Sequence, residues 1–136
     1  MKPDNTERKG LVTSRIGQGY YRELILRRWG RQCSVSHCSI DNVLIASHIV
    51  PWIESNKDEK LNVGNGILLS PNLDALFDKH LISFNEKGNI LISKKLDKDN
   101  LEKLGVTKDM CLQRVFDDMI PFLLRHKSKF IEKEKL

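Results

Sequence analysis

Ala46-Ser47-His48-Ile49-Val50-Pro51 closes the apolar run Val43–Val50, which predicts a short strand that must end at the proline. The next apolar stretch, Asn65-Gly66-Ile67-Leu68-Leu69-Ser70, predicts a second extended segment. Ser70 and Pro71 are then typical of a helix start, and Leu73, Leu76 and Phe77 give this helix a buried stripe as far as about Lys79. Strand, loop, strand and helix therefore follow one another in the middle of the chain.

The flanking sequence predicts helices before this unit and a hairpin and helices after it. Tyr21, Leu24, Ile25 and Trp29 recur at helical spacing, and Gly30 is a plausible stop. We expect an α+β fold in one domain, residues 1–136, with flexible residues 1–14 and a core at about 15–95. The remaining expected elements are a first helix at 18–30, a turn at 32–42, a polar loop at 52–64, a hairpin of 81–84 with 90–93, and helices at 98–104 and 108–127 within a C-terminal helical region of about 98–130.

The net charge of +5 comes entirely from the first quarter of the chain. Residues 1–32 carry eight basic and three acidic side chains, whereas the rest of the 23 basic and 18 acidic groups balance at fifteen each. Because most of these cations are arginines, they suit phosphate binding, although a solvated basic face has the same composition. No apolar run is long enough for a membrane span and the N-terminus lacks a signal-peptide core, so we expect a cytoplasmic protein without a membrane partner.

The three cysteines do not form a disulfide framework. Cys33 and Cys38 could supply half of a zinc site, but no second Cys or His pair follows at the required spacing. A small-residue turn packed under the strand is the alternative. We therefore do not expect structural zinc.

His48, near the end of the first strand, is a candidate base. A neutral imidazole accepts a proton from water at physiological pH, although a strand histidine is often a structural group. Asn65 precedes a glycine, which is ordinary turn chemistry, but its amide also suits holding the loop and orienting the imidazole by a hydrogen bond to one ring nitrogen.

Asp74 and Asp78 are four residues apart and so share one face of the predicted helix. Two such carboxylates repel each other unless a cation lies between them, and oxygen ligands favour Mg²⁺ or Mn²⁺ over zinc. A solvated acidic helix face is the alternative. His80 joins this site only if the helix ends at Lys79.

Together these segments resemble the HNH, or ββα-metal, nuclease family. The similarity to a restriction-associated HNH subgroup is carried by Gly17-Gln18, Tyr21-Arg22, Cys33-Ser34-Val35, residues 46–52, residues 65–70 and residues 73–78. It covers residues 14–95 strongly and continues weakly to about 130.

This resemblance implies a central ββα-metal unit with an added hairpin and flanking helices. His48 takes the position of the general base, Asn65 that of the supporting asparagine, and Asp74 that of the helical ligand of a divalent metal. Asp78 takes a second ligand position. Two departures stand out, because Ser47 replaces an acidic or histidine ligand, and Asp74 replaces the final histidine, a role open to His80 as well.

The function implied is metal-dependent hydrolysis of DNA phosphodiester bonds, with double-stranded DNA favoured and a dimer possible. The candidate residues for gripping the nucleic-acid backbone belong to the first helix and the residues just before it: Arg15, Gln18, Arg22, Arg27 and Arg28. The alternative is a non-catalytic, basic nucleic-acid-binding module that retains the same fold.

Overall fold

The computed structural model describes residues 15–136, and for residues 15 and 16 it describes the backbone alone. The expectation for residues 1–14 lies outside this part of the chain. The helices and strands are α1 (Arg15–Arg28), β1 (Ile45–His48), α2 (Lys57–Leu61), β2 (Gly66–Leu69), α3 (Pro71–Asp78), β3 (Ile82–Phe84), β4 (Ile90–Ile92), α4 (Lys98–Lys103) and α5 (Ile120–Glu134).

Two antiparallel strand pairs with surrounding helices make up the described fold, which confirms the α+β class. In the first pair, Ile45 of β1 lies opposite Leu69 of β2 and His48 lies opposite Gly66. In the second, β3 pairs with β4 as the predicted hairpin. All four residues of β2 are buried, because helices pack around this small sheet: α1 contacts β1 and β2, and α3 contacts β1.

The first helix ends where its glycine predicts. Gly30 adopts a φ of +66°, a left-handed conformation that glycine tolerates without a steric penalty. Its N–H donates to the carbonyl of Arg27, and the N–H of Arg31 donates to that of Leu26. These two bonds satisfy carbonyls that the helix end would otherwise leave unpaired.

Two segments differ from the sequence prediction. The polar loop contains the short helix α2, which begins at a reciprocal pair of hydrogen bonds between Asn56 and Glu59. The predicted helix 108–127 was wrong at both ends, because α5 begins only at Ile120 and continues to Glu134. The backbone before α5 is instead bonded to the hairpin, with the Leu112 N–H donating to the Gly88 carbonyl.

Ser70 stands at the N-terminal cap of α3, as expected, but its side chain does not cap the helix. Its hydroxyl donates to Asn72 Oδ1 at 2.9 Å. The start of α3 is therefore set by Pro71 at its first position and not by a serine cap. None of the helices in the described residues is long and apolar enough to cross a membrane.

Candidate functional site

His48 is the last residue of β1, and one of its two ring nitrogens is fixed by the backbone. Its Nε2–H donates to the carbonyl of Lys60 at 2.7 Å, which leaves Nδ1 as the nitrogen with the lone pair. The described residues give Nδ1 no hydrogen-bond partner. Burial lowers the pKa of His48, and the Lys60 carbonyl opposes that shift only partly. The imidazole is therefore neutral at pH 7 and has the free lone pair that a general base requires.

Aromatic rings enclose the imidazole on two sides. The Tyr21 ring of α1 lies parallel to it, with the centroids 4.3 Å apart and an interplanar angle of 7°. Trp52 meets it edge-on at 5.4 Å and 82°. His48 also lines a cavity of about 350 Å³ between α1 and β1, where Gln18 and Lys60 supply polar groups.

Asn65 is fully buried and spans the loop between the two strands. Its Oδ1 accepts from the Val50 N–H at 2.8 Å, while its Nδ2 donates to Ser55 Oγ and to the Glu59 carbonyl, both at 3.1 Å. The expected bond from this amide to the imidazole is not formed. Asn65 instead anchors the loop that ends in α2, and the neighbouring Lys60 carbonyl orients His48.

Ser47, Asp74 and Asp78 come together on the side of β1 that faces α3. The Ser47 hydroxyl lies close enough to the Asp74 carboxylate to lower its pKa. Burial raises the pKa of Asp74, the Ser47 hydroxyl opposes that rise, and the charge of Asp78 adds to it. Among the described residues, neither aspartate forms a salt bridge with Lys, Arg or His.

Asp74 and Asp78 fit a hard cation such as Mg²⁺ better than they fit zinc. No group of three or more His, Cys, Asp or Glu side chains within residues 17–136 is placed to hold a metal. A closed zinc site needs four protein ligands, whereas Mg²⁺ is commonly bound by one or two carboxylates together with water and substrate phosphate. Two uncompensated carboxylates, one half-buried and one exposed, therefore fit a hard divalent cation.

The candidate base and the candidate metal ligands lie on opposite faces of β1. Successive side chains of a strand point to opposite sides, so His48 faces Tyr21 of α1 while Ser47 faces Asp74 of α3. The structure does not bring His48 into contact with either aspartate. Ser47 and His48 are consecutive, so their Cα atoms are about 3.8 Å apart, while their side chains point away from each other.

His80 lies beyond the end of α3, since that helix stops at Asp78. Its φ of 57° is a left-handed conformation, which is uncommon for a residue other than glycine. The buried ring stacks on His126 of α5 at 4.2 Å, and its Nδ1 lies 3.4 Å from the Lys133 ammonium. Its contacts are thus with α5, and none joins it to Asp74.

Two of the predicted nucleic-acid-binding arginines hold the fold together. Arg22 donates to the carbonyls of Leu44 and Asp41 at 2.7 and 2.8 Å, which ties α1 to the turn before β1. Arg28 forms a two-bond ion pair with Asp118 and lies 3.9 Å from the centre of the Phe116 ring. These guanidinium groups are already engaged inside the chain.

The other predicted contacts remain untested. Arg27 is well exposed and, among the described residues, pairs with Glu23 of its own helix. Gln18 is exposed at the edge of the His48 cavity. The side chain of Arg15 lies outside the described residues.

Cys33 is buried beneath the start of α3. Its Sγ accepts from the N–H groups of Val35, Ser36 and Ser70 at 3.3–3.5 Å. Cys38 closes the same turn, where its carbonyl accepts from the Cys33 N–H at 2.8 Å. The turn therefore gives these cysteines a packing role, and the expectation that they bind no structural zinc stays a prediction.

The sequence prediction missed the groups that orient the imidazole. The Lys60 carbonyl has no sequence signal, because every residue carries one. Tyr21 was assigned to the apolar stripe of the first helix, and nothing in that stripe shows which member meets a strand residue 27 positions later. Only the fold shows that both contact His48.

Comparison with known proteins agrees with the central part of this description. Residues 33–85, somewhat less than half of the chain, match the family model described as HNH endonuclease. No curated protein matches the chain. The matched segment runs from Cys33 to the end of the β3 strand and includes His48, Asn65, Asp74 and Asp78. This match supports a relationship to the HNH endonucleases, and with it a nuclease acting on nucleic acid.

Proposed function

We propose that this chain is a metal-dependent endonuclease that hydrolyses DNA phosphodiester bonds with His48 as the general base. The observation that carries the proposal is the state of His48. Its Nε2–H is held by the Lys60 carbonyl, none of the described residues bonds to its Nδ1, and it lies within a segment that matches the HNH model. A histidine held in this tautomer is ready to take a proton from water.

In this mechanism Nδ1 of His48 accepts the proton of a water molecule as that water attacks the phosphorus, the P–O bond to the leaving 3′ oxygen breaks, and solvent protonates that oxygen. The lowered pKa of His48 keeps the imidazole unprotonated, and therefore competent, at neutral pH. The Lys60 carbonyl stabilises the imidazolium that forms, because its partner Nε2 keeps its proton throughout. Asn65 holds the loop that supplies this carbonyl.

Asp74 and Asp78 are the proposed ligands of Mg²⁺ or Mn²⁺, with the Ser47 hydroxyl close to Asp74. Such an ion, when bound, supplies positive charge to neutralise the phosphodiester oxygens. A scissile phosphate that uses both halves of the site would lie across the end of β1, where Ser47 and His48 are consecutive. Strand, strand and helix would then act as a ββα-metal unit.

The finer points of the proposal follow from the sequence resemblance. Double-stranded DNA is the proposed substrate, a restriction-associated subgroup the proposed relationship, and the cytoplasm the proposed location. Gln18 and Arg27, both exposed on α1, remain the proposed backbone contacts. Arg22 and Arg28 are engaged in intramolecular bonds and would act only by holding α1 in place.

The test is cleavage of supercoiled plasmid with Mg²⁺ or Mn²⁺, and with EDTA, by the wild type, His48→Ala and Asp74→Ala. We expect the wild type to cut with the metal and not with EDTA, and His48→Ala and Asp74→Ala to lose most of this cleavage. His37→Asn is the matched control, since His37 is an exposed histidine away from the site and asparagine tolerates its φ of 65°.

Two results would contradict the proposal. Unchanged cleavage by His48→Ala in a clean preparation would exclude His48 as the base. Salt-dependent DNA binding by a wild type that never cuts with any divalent ion would instead identify the non-catalytic binding module. The absence of a three-ligand cluster among the described residues is the observation that favours this second candidate.

A further inference from the structure

Tyr21 lies outside the segment that matches the family model, yet it contacts both His48 and Asn65. We propose that Tyr21 is a positioning residue. Its stacked ring fixes the plane of the His48 imidazole and thereby the direction in which Nδ1 points. This inference rests on the proposed role of His48 as the base.

A histidine ring does not fix its own plane. The torsion that joins the ring to Cβ has broad, roughly twofold minima, so contacts must select the orientation. The parallel ring of Tyr21, 4.3 Å away, restricts the imidazole to one plane. Rotating the ring by 180° about this torsion leaves it in the same plane but exchanges the positions of its two edges. The hydrogen bond from Nε2–H to the Lys60 carbonyl selects one of these two orientations. The two contacts have separate tasks, and both are needed.

Tyr21 is itself held at both ends. Its hydroxyl donates to the backbone carbonyl of Asn65 at 2.7 Å, and the side chain is 4% exposed. Burial raises the pKa of the phenol, so it remains a neutral donor. Asn65 thus anchors both contacts of the imidazole: its backbone carbonyl holds Tyr21, and its side-chain amide holds the loop before Lys60.

The opposite strand makes room for this hydroxyl. Gly66 pairs with His48 across the ladder, and a Cβ at this position would lie 2.6 Å from the Tyr21 oxygen and 2.2 Å from Cδ1 of Ile25. Real Cβ atoms do not approach other atoms so closely. The position of Tyr21 therefore requires glycine at 66, although its φ of −140° is open to any residue.

The test compares Tyr21→Leu with Tyr21→Phe, and with Trp29→Leu as the control. Phenylalanine keeps the stacked ring, whereas leucine removes it. Trp29 is equally buried, just after α1, but its ring contact is with Phe116 and not with His48. Two readouts are measured: the His48 tautomer and pKa by ¹⁵N NMR in the DNA-free chain, and kcat and KM for plasmid cleavage.

We expect Tyr21→Leu to lower kcat about tenfold with KM unchanged, because a misplaced base slows the chemical step alone. Its His48 pKa should rise towards that of free histidine as water reaches the ring, and both tautomers should be populated. Tyr21→Phe should keep the tautomer and most of kcat. If the His48 pKa and the cleavage rate are the same in Tyr21→Leu as in Trp29→Leu, Tyr21 does not position His48.

The NMR readout separates this inference from the proposed function. A wild type that does not cleave DNA removes the function, and with it the catalytic meaning of Tyr21. A cleaving wild type whose His48 signals are the same in Tyr21→Leu and Trp29→Leu overturns the positioning role and leaves the nuclease intact.

Discussion

The two faces of β1 are built differently. On the α1 face, His48 has a backbone acceptor, a stacked ring and an edge-on ring, and its pKa is lowered by burial. On the α3 face, Asp74 has one hydroxyl nearby, a neighbouring like charge and a raised pKa. The candidate base is therefore positioned by the protein alone, whereas the carboxylate face has no compensating Lys, Arg or His salt bridge among the described residues. Four predictions test this difference.

The largest expected effect belongs to His48→Ala. At saturating Mg²⁺ we expect the cleavage rate to fall about 10²- to 10⁴-fold, which is the usual contribution of a general base. The Mg²⁺ concentration for half-maximal rate should not change, because the metal ligands lie on the other face. Asp74→Asn should instead raise that concentration. A Mg²⁺ titration of both variants measures this concentration. An equal change in the two variants would contradict the view that the two faces of β1 act independently.

Asn65→Ala should destabilise the fold by about 3 kcal/mol, since it leaves the buried Val50 N–H without its Asn65 partner and removes the bonds to Ser55 Oγ and the Glu59 carbonyl. Asn72→Ala is the control, because Asn72 is exposed and water can replace both of its side-chain bonds, one from the Ser70 hydroxyl and one to the Leu104 carbonyl, so we expect a loss of only about 1 kcal/mol. Urea unfolding compares the two. Equal losses would show that Asn65 does not anchor the loop.

Ser47→Asp should add a third carboxylate to the α3 face of β1. A third carboxylate beside Asp74 and Asp78 increases repulsion in the metal-free chain and adds an oxygen ligand for Mg²⁺. We expect a lower Tm without metal and Mg²⁺ affinity about tenfold higher, seen as a larger Tm rise on adding MgCl₂. Ser47→Ala is the control and should show no such gain. If Ser47→Asp responds to Mg²⁺ as Ser47→Ala does, no ion binds there.

The smallest expected effect is in the pH profile. Protonation of His48 removes the Nδ1 lone pair, so the cleavage rate should fall as the pH drops through the pKa of His48. Because burial lowers that pKa, the acid limb should lie below the ordinary histidine value of about 6.5. Asp74→Asn, measured at saturating metal, should keep the same limb. If the acid limb of the pH–rate profile shifts to a different pH in Asp74→Asn, the titrating group belongs to the carboxylate face and is not His48.

The elements with local signals could be predicted from the sequence. The apolar runs of β1 and β2, the proline that opens α3 and the glycine after α1 each dictate local backbone geometry. The segment before α5 could not be predicted, because long-range bonds decide its path. The Leu112 N–H donates to Gly88, and the Gln113 N–H donates to Ser34, 79 positions earlier.

The candidate site was predictable in its side chains and not in its contacts. His48, Asn65, Asp74 and Asp78 were chosen by residue type and spacing, which also indicate the helix and strands that carry them. Net charge drew attention to Arg22 and Arg28, but a count of charges cannot show that a guanidinium is engaged with a carbonyl or a carboxylate. That information exists only once α1 is packed on the sheet.

Gly66 also has a consequence for how the strands align. A slip of β2 by one residue would turn its side chains to the wrong faces, and a slip by two would bring Leu68 opposite His48, into the space that the Tyr21 hydroxyl occupies. The observed alignment is the one that accommodates α1. Because Tyr21 and Ile25 of α1 occupy the space over Gly66, a larger side chain brought there by a slip would clash with α1, so the packing of the first helix and the register of the two strands depend on each other.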